Sequence, residues 1–231
     1  MLPKIGKWNF FMPVRRIRYA LAYRYVRKYI KRYVNLGAGT YIADIGCGSG
    51  YLLGLLEWWF PQANYVGLDC DFKVLLRAKQ ETSRTLFVQG EAEMLPFKTS
   101  GLEFLIALHV IEHLYHPERF FEEAARVLEP GGFLLIATPN PAGLGARVMR
   151  SRWCGWRQDH VSLHPPREWL KIIQGQGFKS IRWGTTALSG IPAFRKFPLA
   201  LLNYLPLVLF GILPWDWGEA FIGLFQREGA D

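Results

Sequence analysis

The sequence predicts a doubly wound α/β sheet of mainly parallel strands, on three observations. Short apolar runs alternate with helical stretches between Thr40 and Pro139, as parallel crossovers require. A glycine-rich turn, Gly46-Cys47-Gly48-Ser49-Gly50, joins the first run to the first helical stretch. The composition, with 231 residues, 50% hydrophobic, 15% aromatic and 20% charged, excludes disorder, coiled coil and collagen as the bulk state.

The elements follow in order. TYIADIG reads as a strand, YLLGLLEWWF as a helix, ANYVGLD as a strand and FKVLLRAKQ as a helix. TLFVQG and LEFLIAL are strands, and PERFFEEAARVL is a helix with Pro117 at its start. A Pro130-Gly131-Gly132 turn introduces the strand GGFLLIATP. From Asn140 to about His164 the pattern is irregular and rich in Gly, Arg and Trp, before a helix, PPREWLKIIQGQG, and a strand, FKSIRWG. AFIGLFQRE reads as the closing strand.

The formal charge of +9 is local. Residues 1–43 carry ten basic residues and no acid, and the remaining 18 basic residues face 19 acidic ones. The chain is therefore a neutral domain with a basic arm. Within the arm, Arg15 to Val34 lacks Gly and Pro, and Tyr19, Tyr23, Val26, Ile30 and Tyr33 recur on one helical face. Arg24, Lys28, Lys31 and Arg32 fall roughly opposite.

Near the other end, Phe197 to Trp215 carries no charge in 19 positions but is interrupted by Pro198, Pro206 and Pro214. A spanning helix needs about 20 mostly apolar residues. A short helical element lying on a bilayer, or a loop over the domain's apolar mouth, accounts for it equally well. This divides the chain into an arm at 1–37 and a domain at 38–231, with 141–165 and 186–217 as substrate-facing, lid or membrane-facing insertions. Cys47, Cys70 and Cys154 are an odd count without a secretory leader after Met1, which points to a reducing, cytoplasmic setting.

The chemistry concentrates after the strands. The glycines run GxGxG with Asp44 two residues ahead, where a dinucleotide fingerprint would need a glycine at Tyr51. Nineteen residues after Gly50, Asp69 ends the second strand, a place from which a carboxylate accepts ribose hydroxyls. The two together imply a nucleoside ligand. Cys47 reads as a small packing residue, since no motif supplies it with a base.

With GEAEMLPF from Gly90, the Glu112-His113-Leu114 turn, the Pro130-Gly131-Gly132 turn and Thr138-Pro139-Asn140 in this order, the chain resembles the class I S-adenosylmethionine-dependent methyltransferases, most closely the ubiquinone-biosynthesis-like branch. The resemblance covers about residues 38–185. It implies a Rossmann-like sheet of seven strands, the last antiparallel, with S-adenosylmethionine over the carboxyl ends of strands one to four. Asp44, Gly46, Cys47, Gly48 and Gly50 would frame the methionine moiety, Asp69 with Cys70 the ribose, and Glu91 with Ala92 the adenine edge. His109 would line the floor near the transferred methyl.

This sequence departs from the family with Glu91 and Glu103 at positions where Asp is usual. Some quinone O-methyltransferases of the branch hold a metal in the turn after strand four. Here that turn reads His109, Val110, Ile111, Glu112, His113, with a histidine for one acid, and no metal is expected. His160 and His164 are four apart, but Pro165 and Pro166 argue for a surface loop.

Displacement at a carbon activated by a sulfonium draws most of its rate from alignment. For a hydroxyl acceptor, His109, His113, His160 or His164 is the candidate to take the proton. The expected activity is methyl transfer to a lipid-like or quinone-like acceptor at an anionic membrane surface, by a peripheral protein. Each arm cation near such a surface is worth about 1 kcal/mol. An RNA methyltransferase using the arm on phosphates, and a non-catalytic S-adenosylmethionine-binding protein, are the rival readings.

Overall fold

The computed structural model describes residues 23–153, 155–186 and 212–229. The basic positions from Lys4 to Arg18, Cys154 and most of the Phe197 to Trp215 stretch lie outside them.

The strands are β1 (Tyr41–Ile45), β2 (Asn64–Asp69), β3 (Leu86–Gln89), β4 (Leu102–Leu108), β5 (Leu128–Pro139), β6 (Phe178–Thr186), β7 (Ile212–Leu213) and β8 (Ala220–Arg227). The described helices are α1 (Arg24–Tyr33), α2 (Tyr51–Trp59), α3 (Phe72–Glu81), α4 (Pro117–Val127), α5 (Leu144–Met149) and α6 (Pro166–Gly175).

They form one sheet in the order β3-β2-β1-β4-β5-β8-β6-β7. Strands β1 to β5 pair in parallel, while β8 runs antiparallel to both β5 and β6. The seven-stranded frame with an antiparallel last strand is therefore present. The two-residue β7 adds an eighth rung at the edge of β6, pairing Thr185 with Leu213 and Thr186 with Ile212. The described end of the apolar Phe197 to Trp215 stretch is thus extended, because β6 offers it an open edge.

The central strands β1, β4 and β5 are buried on both faces, as their unbroken apolar runs demand. One face packs against α4 and α6 through Phe120, Phe121, Trp169 and Ile173. The other packs against α2 through Leu52, Leu53 and Leu56. Val26, Tyr29 and Ile30 of α1 are buried in that second layer, and Tyr33 meets Phe133 of β5 at 5.6 Å. Arg24, Arg27, Lys28, Lys31 and Arg32 lie on the exposed side of α1. The helical spacing read from the sequence thus separates charge from core.

Two features were not visible as periodicity. A six-residue α5 interrupts the irregular stretch, and it ends where Arg150 turns to φ 48°. At the end of α2, Glu57 accepts five hydrogen bonds of 2.7 to 2.9 Å from the backbone and hydroxyls of Ser83, Arg84 and Thr85. These bonds tie the helix to the entry of β3.

Replacing Glu57 with Ala leaves those donors to water, at a cost of about 2 kcal/mol. The expected fall in Tm is roughly 4–8 °C for a chain of this size, read by thermal unfolding.

Candidate active site

Parallel register brings the carboxyl ends of β1, β2 and β4 to one edge. Asp44 sits between Gly67 of β2 and Ile106 of β4. The glycine turn that follows has Gly46, Gly48 and Gly50 at φ 65°, 53° and 73°. At Gly46 a side chain would collide with Val110, whose Cγ2 would lie 2.5 Å from its Cβ. Gly48 meets nothing within 4 Å, so its open face is where a ligand can press against the backbone.

Asp69 holds this turn in shape. Its Oδ2 accepts from the Gly48 N–H at 2.9 Å and its Oδ1 from the Asp71 N–H at 3.0 Å. Each oxygen keeps lone-pair capacity for a hydroxyl. Cys70 is exposed next to it, its thiol raised by desolvation and then by Asp69 and Glu91. Cys47 instead points its sulfur at Gly67 and is buried, and desolvation, then Asp44 and Asp69, push its thiol far up. Only its backbone is left to frame a ligand, as packing would require.

Asp44 is 4% exposed, and burial, followed by the charge of Asp69, raises its carboxyl to about 8. Tyr25 of α1 lies within the field of Asp44 and is pushed well up by burial, then by Tyr23, Tyr29 and Asp44. The basic helix thus comes close enough to this edge for Asp44 to act on Tyr25, a proximity that its amphipathic pattern does not encode.

Glu91 is exposed and Ala92 buried in the loop after β3. That loop is anchored from α4. Glu123 accepts from the Leu95 N–H, while Arg126 donates to the carbonyls of Leu95 and Phe97 and to Glu123.

Beyond β4 the chain turns sharply at His109, which adopts φ 59° and donates its N–H to the Ala137 carbonyl at 2.7 Å. The turn aims Nδ1 of the ring at Glu112 Oε1, 3.1 Å away, and leaves the side chain 58% exposed. Glu112 is fully buried, and its Oε2 accepts from the Thr138 hydroxyl at 3.0 Å. Burial pushes its carboxyl up, but His109, the Glu112 backbone and Thr138 outweigh this and hold it below the usual carboxylate range. A carboxylate so placed fixes Nδ1 as donor and leaves Nε2 as acceptor. The pairing needs the turn at His109 and the arrival of Thr138 from β5, which no local pattern announces.

His113 and His160 stack edge to face at 4.8 Å, their Nδ1 atoms at the carbonyls of Asp159 and Gly155, 2.8 Å each. Glu112, His113 and His160 offer ligand atoms within 4.8 Å of one another. Tetrahedral ligands about 2.1 Å from a zinc ion lie roughly 3.4 Å apart, so these rings would have to close to share one. His164 is engaged elsewhere, with Glu168 at 2.9 Å and against Trp169.

Residues past Asn140 complete the edge. Asn140 donates to the carbonyls of Asp216 and Gly218 at 2.8 Å. Glu219 accepts from the Trp153 indole at 3.1 Å and packs against Gly145.

Comparison with known proteins agrees with this geometry. Residues 43–136 match the family model described as a methyltransferase domain. A probable S-adenosylmethionine-dependent methyltransferase of Mycolicibacterium smegmatis is 32% identical over 45% of this chain and 39% of its own length. The phthiotriol/phenolphthiotriol dimycocerosates methyltransferase of Mycobacterium tuberculosis is 31% identical over 71% of this chain and 60% of its own. The chain thus spans about two fifths of the first of these relatives. Among solved structures, a chain from the complex between the Haloferax volcanii Trm112 methyltransferase activator and a methyltransferase superposes with a TM-score of 0.68 at 19% identity. That match covers 97% of this chain and all of the other, and it establishes the fold.

The residues present fit S-adenosylmethionine, whose ammonium would give the buried Asp44 carboxyl the cation it lacks. Its folded pKa is raised from 3.8 to about 8, so the ligand-free protein loses stability as pH climbs between those values. Binding an ammonium there must expel the proton. Affinity for S-adenosylhomocysteine, which carries the same ammonium, is therefore expected to tighten between pH 5.5 and 7.5 by up to about tenfold per unit. Calorimetric titration in Asp44→Asn should show that slope gone; a wild-type affinity independent of pH would contradict the assignment.

Proposed function

We propose that this chain, a class I S-adenosylmethionine-dependent methyltransferase by family and fold, methylates a hydrophobic, lipid-like acceptor at a membrane surface. The observation that carries this reading is the apolar crowding of the edge past His109. Leu144, Val148, Trp156, Val161 and Trp217 are all at least 40% exposed there, while Arg147, Arg150 and Arg152 are interleaved with them. Exposed tryptophan and leucine beside arginine suit a lipid interface, where the rings and methyls enter and the guanidinium groups stay wet. The lipid-named Mycobacterium tuberculosis relative supports the same acceptor class.

In this reading Asp44 and the Gly46 to Gly50 turn hold the methionine end of the cofactor, Asp69 the ribose, and the Glu91–Ala92 loop the adenine. S-adenosylmethionine supplies an activated methyl; the chain's own work is to align the acceptor against it and to take a proton. His109 is placed for that proton. Its Nδ1 is committed to Glu112, so Nε2 receives a proton from an acceptor hydroxyl and Glu112 steadies the imidazolium that results. Glu112 acts through His109 and is a positioning residue.

The exposed cations of α1 add a second, electrostatic contact to the membrane. No described helix is long and apolar enough to cross a bilayer, so attachment would be peripheral.

Against a hydroxyl acceptor, His109→Asn is expected to lower kcat by about 10² to 10⁴ with S-adenosylhomocysteine affinity unchanged. Asparagine tolerates the positive φ, so a loss reports the ring rather than the turn. Rapid-quench turnover with the matched acceptor separates this from a binding defect, and full activity in the variant would remove His109 from the proton path.

Sedimentation with phosphatidylcholine vesicles, with and without phosphatidylglycerol, tests the surface. Reversing the charges of Arg24, Lys28, Lys31 and Arg32 should release the protein from anionic vesicles, and binding should fade as salt rises. A protein indifferent to every vesicle but tight on structured RNA with a steep salt dependence would favour the RNA reading instead.

A further inference from the structure

We infer that the cavity between α5, α6 and the turn before β8 binds an anionic group of the acceptor, a phosphate or a carboxylate. The inference rests on the methyl-transfer reading above and deepens it by giving the acceptor a charged end.

The cavity has a volume of about 320 Å³, and Arg147, Arg167 and Lys171 bring three positive charges to its wall. That is roughly ten water volumes, room for a headgroup and the atoms next to it. Two acids share the wall, Glu168 and Asp216, and both are spent locally. Asp216 pairs with Arg167 at 3.2 Å and Glu168 with His164 at 2.9 Å. Among the described residues, Arg147 and Lys171 have no acidic partner, and Arg167 keeps the guanidinium nitrogens beyond its Nε free of Asp216. Three cations against two acids, with Arg147 and Lys171 outside any described ion pair, give this concave space a net positive charge that favours an anion with several acceptor oxygens.

Position ties this cavity to the reaction. Its wall residue Pro165 follows Ser162 by three positions, and the Ser162 N–H donates to the Glu112 carbonyl at 3.0 Å. Its wall residue Ala142 follows Thr138 by four, and the Thr138 hydroxyl donates to the Glu112 carboxylate. Chain segments of three and four residues reach at most about 10–14 Å. An anion held here is therefore one short molecular span from His109, and exposed Val148 and Trp217 lie next in the chain to its wall residues Arg147 and Asp216, with the exposed Leu144 bonded to Trp217. A molecule with an anionic end, an apolar body and a nucleophile near His109 matches all three parts.

The full chain can be titrated calorimetrically with four probes below their micelle concentrations: dodecyl phosphate, dodecanoate, inorganic phosphate and uncharged dodecyl maltoside. Dodecyl phosphate or dodecanoate should bind at least tenfold tighter than the maltoside. In Arg147→Gln/Lys171→Gln that preference should disappear while S-adenosylhomocysteine affinity and Tm stay at wild-type values, which shows the variant to be folded.

Equal binding of charged and uncharged chains, or a preference that survives in the variant, would overturn the inference. Inorganic phosphate binding as tightly as dodecyl phosphate, and lost in the variant, would make this a free-anion site and also overturn it. A wild-type chain that fails to bind S-adenosylhomocysteine would instead sink the methyl-transfer reading, a result separable from the probe titrations.

Discussion

Parallel pairing of β1 with β2 on one side and β4 on the other places Asp44, Asp69 and His109 along one edge, since Asp44 is one residue from the end of β1, Asp69 ends β2 and His109 follows β4. Nearly everything at the site depends on that alignment. The Gly48 N–H reaches Asp69 only because the turn after β1 lies over the end of β2, and the Cys47 N–H reaches the Leu68 carbonyl for the same reason. A slip of one residue would reverse the faces of every side chain involved. The buried apolar strands thus set the geometry of a polar edge to which β1 and β2 contribute Asp44 and Asp69 themselves.

Electrostatics divides that edge into two halves of different character. At the ends of β1 and β2, Asp44 is a desolvated acid short of a cation, and Asp69 is an acid already supplied with backbone donors. Beyond β4, Glu112 is buried but satisfied by His109 and Thr138. Equal burial therefore produces opposite shifts, upward where hydrogen-bond donors are missing and downward where they are present. A positive group beside Asp44 would relieve its desolvation, while the Glu112 pair already has its donors.

How much of this could be read from the chain depends on sequence distance. The strands from β1 to β5 and their helices announce themselves by alternation, and the glycine turn with Asp69 by spacing. The amphipathic split of α1 was also legible, whereas the burial of Val26, Tyr29 and Ile30 in the domain's second layer was not, because a stripe does not name its partner. The Glu112–Thr138 and Trp153–Glu219 bonds join residues 26 and 66 positions apart, and no local pattern encodes them. α5 was hidden for another reason: six residues are too few to show a period. The cationic cavity draws on three separate segments and exists only once β8 has closed the sheet.

The ends of the span between β6 and β8 are joined at their base. The Thr185 hydroxyl donates to the Trp215 carbonyl and accepts from the Gly218 N–H, and the Glu219 N–H donates to the Thr186 carbonyl. A segment whose two ends are already fastened adds little entropy cost when it lengthens, about 0.6 kcal/mol for each doubling. The paired strands on either side of residues 187–211 therefore keep their register whatever the length of chain that joins them.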